Sequence, residues 1–265
     1  MAIGNKDLKK ISKKMQELKK RTDFLLKEDS QFNVLEAFRK LKASLSVSIP
    51  KTEKGGVSIM ITSSYPEEGK TTVSVNLALM FAMSSKAKVI VVDTDIRKGR
   101  IAKFFKGVRR PGLSEYLSGQ ITLDEVIKNS GAEETFDYIP CGTHSPKPYE
   151  MLESEAMKKL DKLLRERYDY VIYDTPPMLL VSDALAVAPI VDGTVVVTRH
   201  LRSYMSDLSK VLNTLKFAKI NVLGVVVNDY QRDVKKVIGY KQYYSDKYYA
   251  YGNNSEDNKT EEKAD

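Results

Sequence analysis

The run Val57-Ser-Ile-Met-Ile-Thr-Ser63, followed by a turn and then by Gly69-Lys70-Thr71 at the head of a helical pattern, constrains this chain more than any other feature. A short apolar run rich in β-branched residues, introduced by Gly55 and Gly56, reads as a buried strand. A strand buried on both faces needs helices above and below its sheet, and the rest of the chain supplies them. Further strands are expected at Lys88–Asp93, Phe136–Pro140, Tyr170–Asp174, Thr194–Thr198 and Val222–Asn228, with helices near residues 32–46, 70–84, 149–167, 181–188 and 203–218. Such alternation predicts an α/β fold with a mostly parallel central sheet flanked by helices. Ligands of these folds bind beyond the carboxyl ends of the strands, and the polar motifs fall there.

The first is Ser63-Ser64-Tyr65-Pro66-Glu67-Glu68-Gly69-Lys70-Thr71-Thr72. A strand, a tight turn and Gly-Lys-Thr opening a helix aim backbone N–H groups and a helix N-terminus at phosphate oxygens. Lys70 is then expected to reach the β and γ phosphates of a nucleotide and Thr71 to ligate Mg²⁺. Ser64 stands where the general P-loop pattern has its first glycine. The second motif, Val91-Val92-Asp93-Thr94-Asp95-Ile96-Arg97, sets two carboxylates two residues apart at a strand end, on the same side. They suit holding Mg²⁺ and taking a proton from an attacking hydroxyl; the plainer alternative is a helix cap with an ion pair to Arg97. The third, Val171-Ile172-Tyr173-Asp174-Thr175-Pro176-Pro177, closes an apolar strand with an aspartate in the Walker B manner.

Charge and composition bear on the two ends of the chain. The net +8 divides unevenly: residues 1–54 hold 14 Lys and Arg against 7 Asp and Glu, residues 55–252 hold 27 against 23, and residues 253–265 hold 2 against 5. Leu8, Ile11, Met15, Leu18, Thr22 and Leu25 recur at helical spacing among lysines, which predicts a basic amphipathic docking helix. No run of 18 apolar residues occurs, so no bilayer span is expected. The single cysteine, Cys141, fits a reducing compartment, and with His144 and His200 as the only histidines a structural zinc site is not expected. Near the other end, Tyr240, Tyr243, Tyr244, Tyr248, Tyr249 and Tyr251 place six of the fifteen tyrosines within twelve residues. Such a cluster could stack on nucleic-acid bases or accept phosphate.

Ser64–Thr72, Ile90–Arg97 and Val171–Pro177 together with the tyrosine cluster resemble the bacterial tyrosine kinases (BY-kinases) that control capsule and exopolysaccharide production, over roughly residues 32–251. The stretch Thr175–Gly193 looks like the family's region after Walker B. The resemblance implies a P-loop protein-tyrosine kinase that uses ATP and Mg²⁺ and autophosphorylates in trans. By carry-over, Lys70, Asp93, Asp95 and Asp174 are catalytic, and Glu68, Gly69, Lys70, Thr71, Thr72 and Asn228 bind ATP. Thr71, Asp93, Asp95 and Asp174 attend the metal, and either Asp93 or Asp95 is the base. The six clustered tyrosines are the phosphoacceptors. Glu36, Arg39 and Lys42 are similar to the Glu-x-x-Arg-x-x-Arg helix through which family members form rings, up to octamers; Lys42 keeps the charge of the third position and loses its bidentate fork. Lys147 is a second departure, standing where many relatives carry Asn.

The expected organisation is a helical extension (1–31), a kinase domain (32–239) and a flexible tyrosine-bearing, acidic tail (240–265). Expected partners are a membrane-anchored activator of the polysaccharide co-polymerase type, a protein-tyrosine phosphatase and polysaccharide-synthesis enzymes as substrates. A cytoplasmic protein held at the inner face of the plasma membrane by its partner is implied, and no nucleic acid. Two other readings compete. A MinD-like or ParA-like partition ATPase would carry a further lysine five residues before Lys70, where Tyr65 stands. A nucleic-acid-binding adaptor would interleave its tyrosines with a basic groove, but the cluster holds only Lys241 and Lys247.

Overall fold

A computed structural model of the protein describes residues 25–26, 30, 32–49, 55–85, 87–131 and 136–230. Residues 1–228 make up one unit and residues 229–265 another, of which only Asp229 and Tyr230 are described. The expected basic helix near residues 6–27, apart from Leu25 and Leu26, and the whole tyrosine cluster lie outside the described residues.

The first unit runs α1 Phe32–Ser48, β1 Val57–Ser63, α2 Lys70–Ser85, β2 Val89–Asp93, α3 Ile101–Phe104, α4 Leu113–Leu117, α5 Leu123–Val126, β3 Lys128–Asn129, β4 Asp137–Ile139, α6 Pro148–Glu153, α7 Glu155–Arg167, β5 Tyr170–Asp174, α8 Asp183–Val187, a 3-10 turn Ala188–Ile190, β6 Gly193–Arg199, α9 Met205–Phe217 and β7 Val222–Asn228. The seven strands form one sheet in the order β3-β4-β2-β5-β1-β6-β7. Only β3 runs antiparallel to its neighbour; β4, β2, β5, β1, β6 and β7 are parallel.

Alternate residues of β1 face opposite sides of the sheet, and both sides are filled. Ile59 and Ile61 join Val73, Leu77 and Phe81 of α2 and Leu35 and Leu45 of α1 in one core. Met60, with Tyr173, packs in the other core with Leu160 and Leu164 of α7, Val187 of α8 and Val211 and Leu215 of α9. Every residue of α2 from Val73 to Ala82 is at most 4% exposed. A helix apolar all round must be buried all round, so α2 is clamped between sheet and α1, and Lys70 at its first position is held with it.

The bounds of β1, β5 and β7 coincide with the sequence expectation. The single helix expected over 149–167 is two, because Ser154 takes an extended conformation and its hydroxyl caps α7 by accepting from Met157 N at 3.3 Å. Past Val187 the helix expected to residue 188 tightens into a 3-10 turn that carries Pro189. β3, α3, α4 and α5 have no counterpart in the sequence reading, since elements of two to five residues leave no measurable periodicity. No helix among the described residues is long and apolar enough to cross a membrane.

Candidate active site

The carboxyl ends of β1, β2 and β5 converge, with parallel register setting Asp93 opposite Asp174 on adjacent strands. Thr94 fastens the two ends, donating its backbone N–H (3.0 Å) and its hydroxyl (2.9 Å) to the carbonyl oxygen of Asp174. After β1 the chain turns through Ser64–Gly69 and enters α2. Glu67 and Gly69 both adopt positive φ, +67° and +96°. At Gly69 a side chain has no room either, because a Cβ would sit 1.8 Å from Asn228 Nδ2. Asn228, at the end of β7, donates from Nδ2 to the Glu68 carbonyl at 3.0 Å and so braces the turn from the far side of β6.

Lys70 extends back over the strand ends, its Nζ 3.7 Å from Asp95 Oδ2. Thr71 donates its hydroxyl to Asp174 Oδ2 at 2.7 Å, and Ser74, one turn on, stands 3.1 Å from Asp174 Oδ1. Asp95 Oδ1 accepts the backbone N–H of Lys98 at 2.8 Å. Asp93 accepts from Ile101 N at 3.1 Å and Asp95 N at 3.3 Å, and is only 1% exposed. Arg97 does not pair with either aspartate: its guanidinium forks onto Asp183, Nε to Oδ2 at 2.7 Å and Nη2 to Oδ1 at 3.2 Å. The plainer alternative for Asp93 and Asp95 thus loses its ion pair and keeps only turn hydrogen bonds.

Three carboxylates around one ammonium leave negative charge in a dry place. Burial first, then the charge of Asp174, pushes the Asp93 carboxyl well above the usual range. Burial also raises Asp174, against the opposing pull of Lys70 and the Thr71 hydroxyl. A raised carboxyl takes a proton more readily folded than unfolded. Its penalty is therefore absent below the unfolded carboxylate range near pH 4 and grows as pH rises toward the folded value. Without ATP or Mg²⁺, Asp93→Asn is expected to raise the unfolding midpoint at about pH 7.5 by a few degrees, on the order of 1 kcal/mol, with the gain vanishing near pH 4. Identical melting of both proteins across that range would contradict it. Cys141, beside Asp93, is pushed up to about 12 by burial and that charge, so it is not a thiolate nucleophile.

Of the residues expected here, Gly69, Lys70, Thr71, Asp93, Asp95, Asp174 and Asn228 gather at these strand and helix ends. Glu68 belongs to the turn, but its carboxylate is spent internally, accepting Tyr65 N at 2.8 Å and the Ser203 hydroxyl. Its available contribution to a ligand is therefore its backbone. Thr72 follows half-buried on α2. Among the described residues no three of His, Cys, Asp and Glu stand close enough to hold a metal ion. Thr71 and Asp174, joined at 2.7 Å, are placed to hold Mg²⁺, with Asp93 opposite Asp174 on the adjacent strand and Asp95 two residues beyond it. That suits a cation that keeps waters and binds one or two carboxylates along with phosphate oxygens. Glu36 and Arg39 lie apart on α1, paired to each other at 2.6 Å and facing solvent, with Lys42 on the same helix.

Ser74, Thr94, Asp183 and Asn228's brace on Glu68 extend what the motifs alone indicate. Ser74 sits one helical turn after Lys70, a spacing that sequence offers; the partners of Arg97 and Thr94 are 80 or more residues away and give no such signal. A nucleotide phosphate chain fits these groups. Among the described residues Ser64 Oγ, at the start of the turn, is buried without a hydrogen-bond partner.

Comparison with known proteins agrees. A family model described as "AAA domain" matches residues 52–223. Tyrosine-protein kinase etk of Escherichia coli (strain K12) is 36% identical over 209 residues, 79% of this chain and 28% of that protein. The chain thus spans less than a third of the length of the first curated relatives. The solved kinase domain of the same E. coli protein superposes with a TM-score of 0.69, covering 75% of this chain and 78% of that one. Tyrosine-protein kinase YwqD of Bacillus subtilis (strain 168) is 34% identical over 183 residues, 69% of this chain and 76% of YwqD. The septum site-determining protein MinD of Pyrococcus horikoshii, solved with Mg-ADP, is 25% identical with a TM-score of 0.57, covering 68% of this chain and 72% of that one.

Proposed function

The chain belongs to the bacterial tyrosine kinases, and from that premise we propose that it transfers the γ-phosphoryl group of ATP to tyrosines of its own terminal cluster, in trans between copies. The carrying observation is that Lys70, Thr71, Asp95 and Asp174 share one crevice in a chain that bears six clustered tyrosines. ATP supplies the phosphoryl donor. The turn N–H groups and Lys70 would hold its phosphate oxygens, and Thr71 and Asp174 would hold Mg²⁺, which would neutralise charge on the phosphates. Asp95 is the better-placed proton acceptor of the two aspartates, because Asp93 is nearly sealed and faces the Ile101 N–H, whereas Asp95 Oδ2 faces the crevice beside Lys70. As the tyrosine oxygen bonds to phosphorus and the bond to the departing ADP oxygen breaks, the hydroxyl proton passes to Asp95.

The wider reading keeps the domain division at residues 31/32 and 239/240, a ring assembled through Glu36, Arg39 and Lys42, and activation by a membrane-anchored protein at the inner face of the plasma membrane. A phosphatase resets the tail, and the phosphorylation state tunes enzymes of polysaccharide synthesis. Similarity to MinD supports the fold and Mg-nucleotide binding, but Tyr65 occupies the place of the lysine that partition ATPases use. Incubation with ATP and Mg²⁺ should give phosphotyrosine mapped by mass spectrometry to Tyr240, Tyr243, Tyr244, Tyr248, Tyr249 and Tyr251, and changing all six to Phe should remove it while ATP hydrolysis persists. ATP hydrolysis with no phosphotyrosine in any mixture of copies, activator included, would refute the reading.

A further inference from the structure

From Ile96 to Ser114 the chain carries seven Lys and Arg and no Asp or Glu. Counted over residues 55–252, where 27 basic residues face 23 acidic ones, this concentration disappears into a near-balance. The structure shows where it sits. The segment starts at the proposed proton acceptor: Lys98 N donates to Asp95 Oδ1 at 2.8 Å, Gly99 N to Asp95 O at 2.6 Å, and Ile101 N to Asp93 Oδ2 at 3.1 Å. Arg109 closes it back on the same loop, donating to the carbonyls of Ile96 and Gly142.

Arg97 is neutralised by Asp183, and Arg109 is spent on carbonyls. Lys98, Arg100, Lys103, Lys106 and Arg110 are all exposed, and among the described residues none is paired with a carboxylate. Five such cations on the segment that leaves Asp93 and Asp95 make a positive field that attracts anions.

The chain itself offers the complementary charge. Glu256, Asp257, Glu261, Glu262 and Asp265 follow the tyrosine cluster, against Lys259 and Lys263. Glu256 stands five residues after Tyr251, roughly 17 Å of extended chain. Resting on the kinase reading above, we propose that the basic surface Lys98–Arg110 docks the acidic segment Glu256–Asp265 of a second copy, holding that copy's tyrosines at Asp95. The cluster is thereby selected over other tyrosines by the charge that flanks it.

The test uses full-length chains. The acceptor copy carries Lys70→Met, and the enzyme copy carries the six clustered tyrosines as Phe. Neutralising the acceptor's segment (Glu256→Gln, Asp257→Asn, Glu261→Gln, Glu262→Gln, Asp265→Asn) should slow phosphorylation in trans by roughly tenfold at about 50 mM salt, with the difference collapsing near 0.5 M. Arg100→Glu, Lys103→Glu and Lys106→Glu in the enzyme copy should slow it similarly with ATP hydrolysis unchanged. An acceptor with lysines at the five acidic positions should recover rate on that reversed surface. Equal rates for neutralised and native acceptors would overturn the docking, and because those changes lie in the tail, the result stands even if the reversed surface fails to fold. Unchanged trans rates combined with loss of binding to phosphatidylglycerol vesicles would assign the surface to lipid and likewise overturn it. Absence of phosphotyrosine in every pairing, native included, would instead strike the kinase reading itself.

Discussion

Lys70→Met is expected to lower phosphotyrosine formation by about 100- to 1,000-fold, the range for removing one preorganised charged donor from a phosphoryl-transfer site. The side chain opens a helix whose body is buried on every side, so its ammonium is positioned before any ligand arrives. It also lies 3.7 Å from Asp95 and lowers both Asp93 and Asp174 against the burial that raises them. Methionine keeps the length and most of the volume while removing the charge. Losing that cation leaves the buried carboxylates less compensated, so the melting temperature at about pH 7.5 should fall by a few degrees, and a Lys70→Met copy, still folded at assay temperature, should accept phosphate from an active one. Autophosphorylation within a few-fold of the native rate, measured with phosphotyrosine antibody and mass spectrometry, would refute the role given to Lys70.

The second large effect is on stability and lies at the opposite end of the sheet. Arg165 of α7 is buried and donates to Asp161 Oδ2 at 2.7 Å, to Asp192 Oδ2 at 2.7 Å, and to the carbonyls of Gly56 at 3.2 Å and Ile190 at 3.0 Å. Asp161 also accepts from the Ser58 hydroxyl at 2.5 Å and the Tyr173 hydroxyl at 2.9 Å. One guanidinium thus ties α7 to the start of β1 and to the turn before β6. Arg165→Met leaves two carboxylates with little water and no cation, which is expected to cost about 3–5 kcal/mol. For a domain of this size that corresponds to a fall in melting temperature of roughly 6–20 °C. Arg165→Lys should recover only part of it, since one ammonium cannot reproduce the fork. Denaturant unfolding of both variants measures this, and a loss below about 1 kcal/mol would show the network to be dispensable.

Neither effect was equally visible beforehand. Lys70 announces itself, because a lysine between glycine and threonine after an apolar strand has a local reason for each neighbour. Arg165 does not: in sequence it is one of several basic residues near the end of an amphipathic helix, and Asp161 is its only partner at helical spacing. Asp192 and Gly56 reach it only through the parallel pairing of β1 with β5 and β6. Arg97 shows the same limit. Two acidic residues stand close before it, yet it forks onto Asp183, 86 residues away. Glu68 and Asn228 show it too: the Glu68 carboxylate is spent within its own turn, and Asn228, from the end of β7, braces the Glu68 carbonyl.

What the sequence alone determined is the longer strands and helices and the polar residues at their ends: β1, β5 and β7 to the residue, Lys70 and Thr71 at the head of α2, and Asp174 at the close of β5. These follow from nearest-neighbour physics, in which hydrophobic periodicity, β-branching and glycine conformation act within a turn or a strand. The tertiary structure decided which carboxylate faces Lys70, which is sealed away, where Arg97 and Arg165 find their charges, and that among the described residues five cations after Asp95 find no carboxylate. Those outcomes depend on register between segments some 80 to 160 residues apart and on the water that packing removes, and no local pattern carries either.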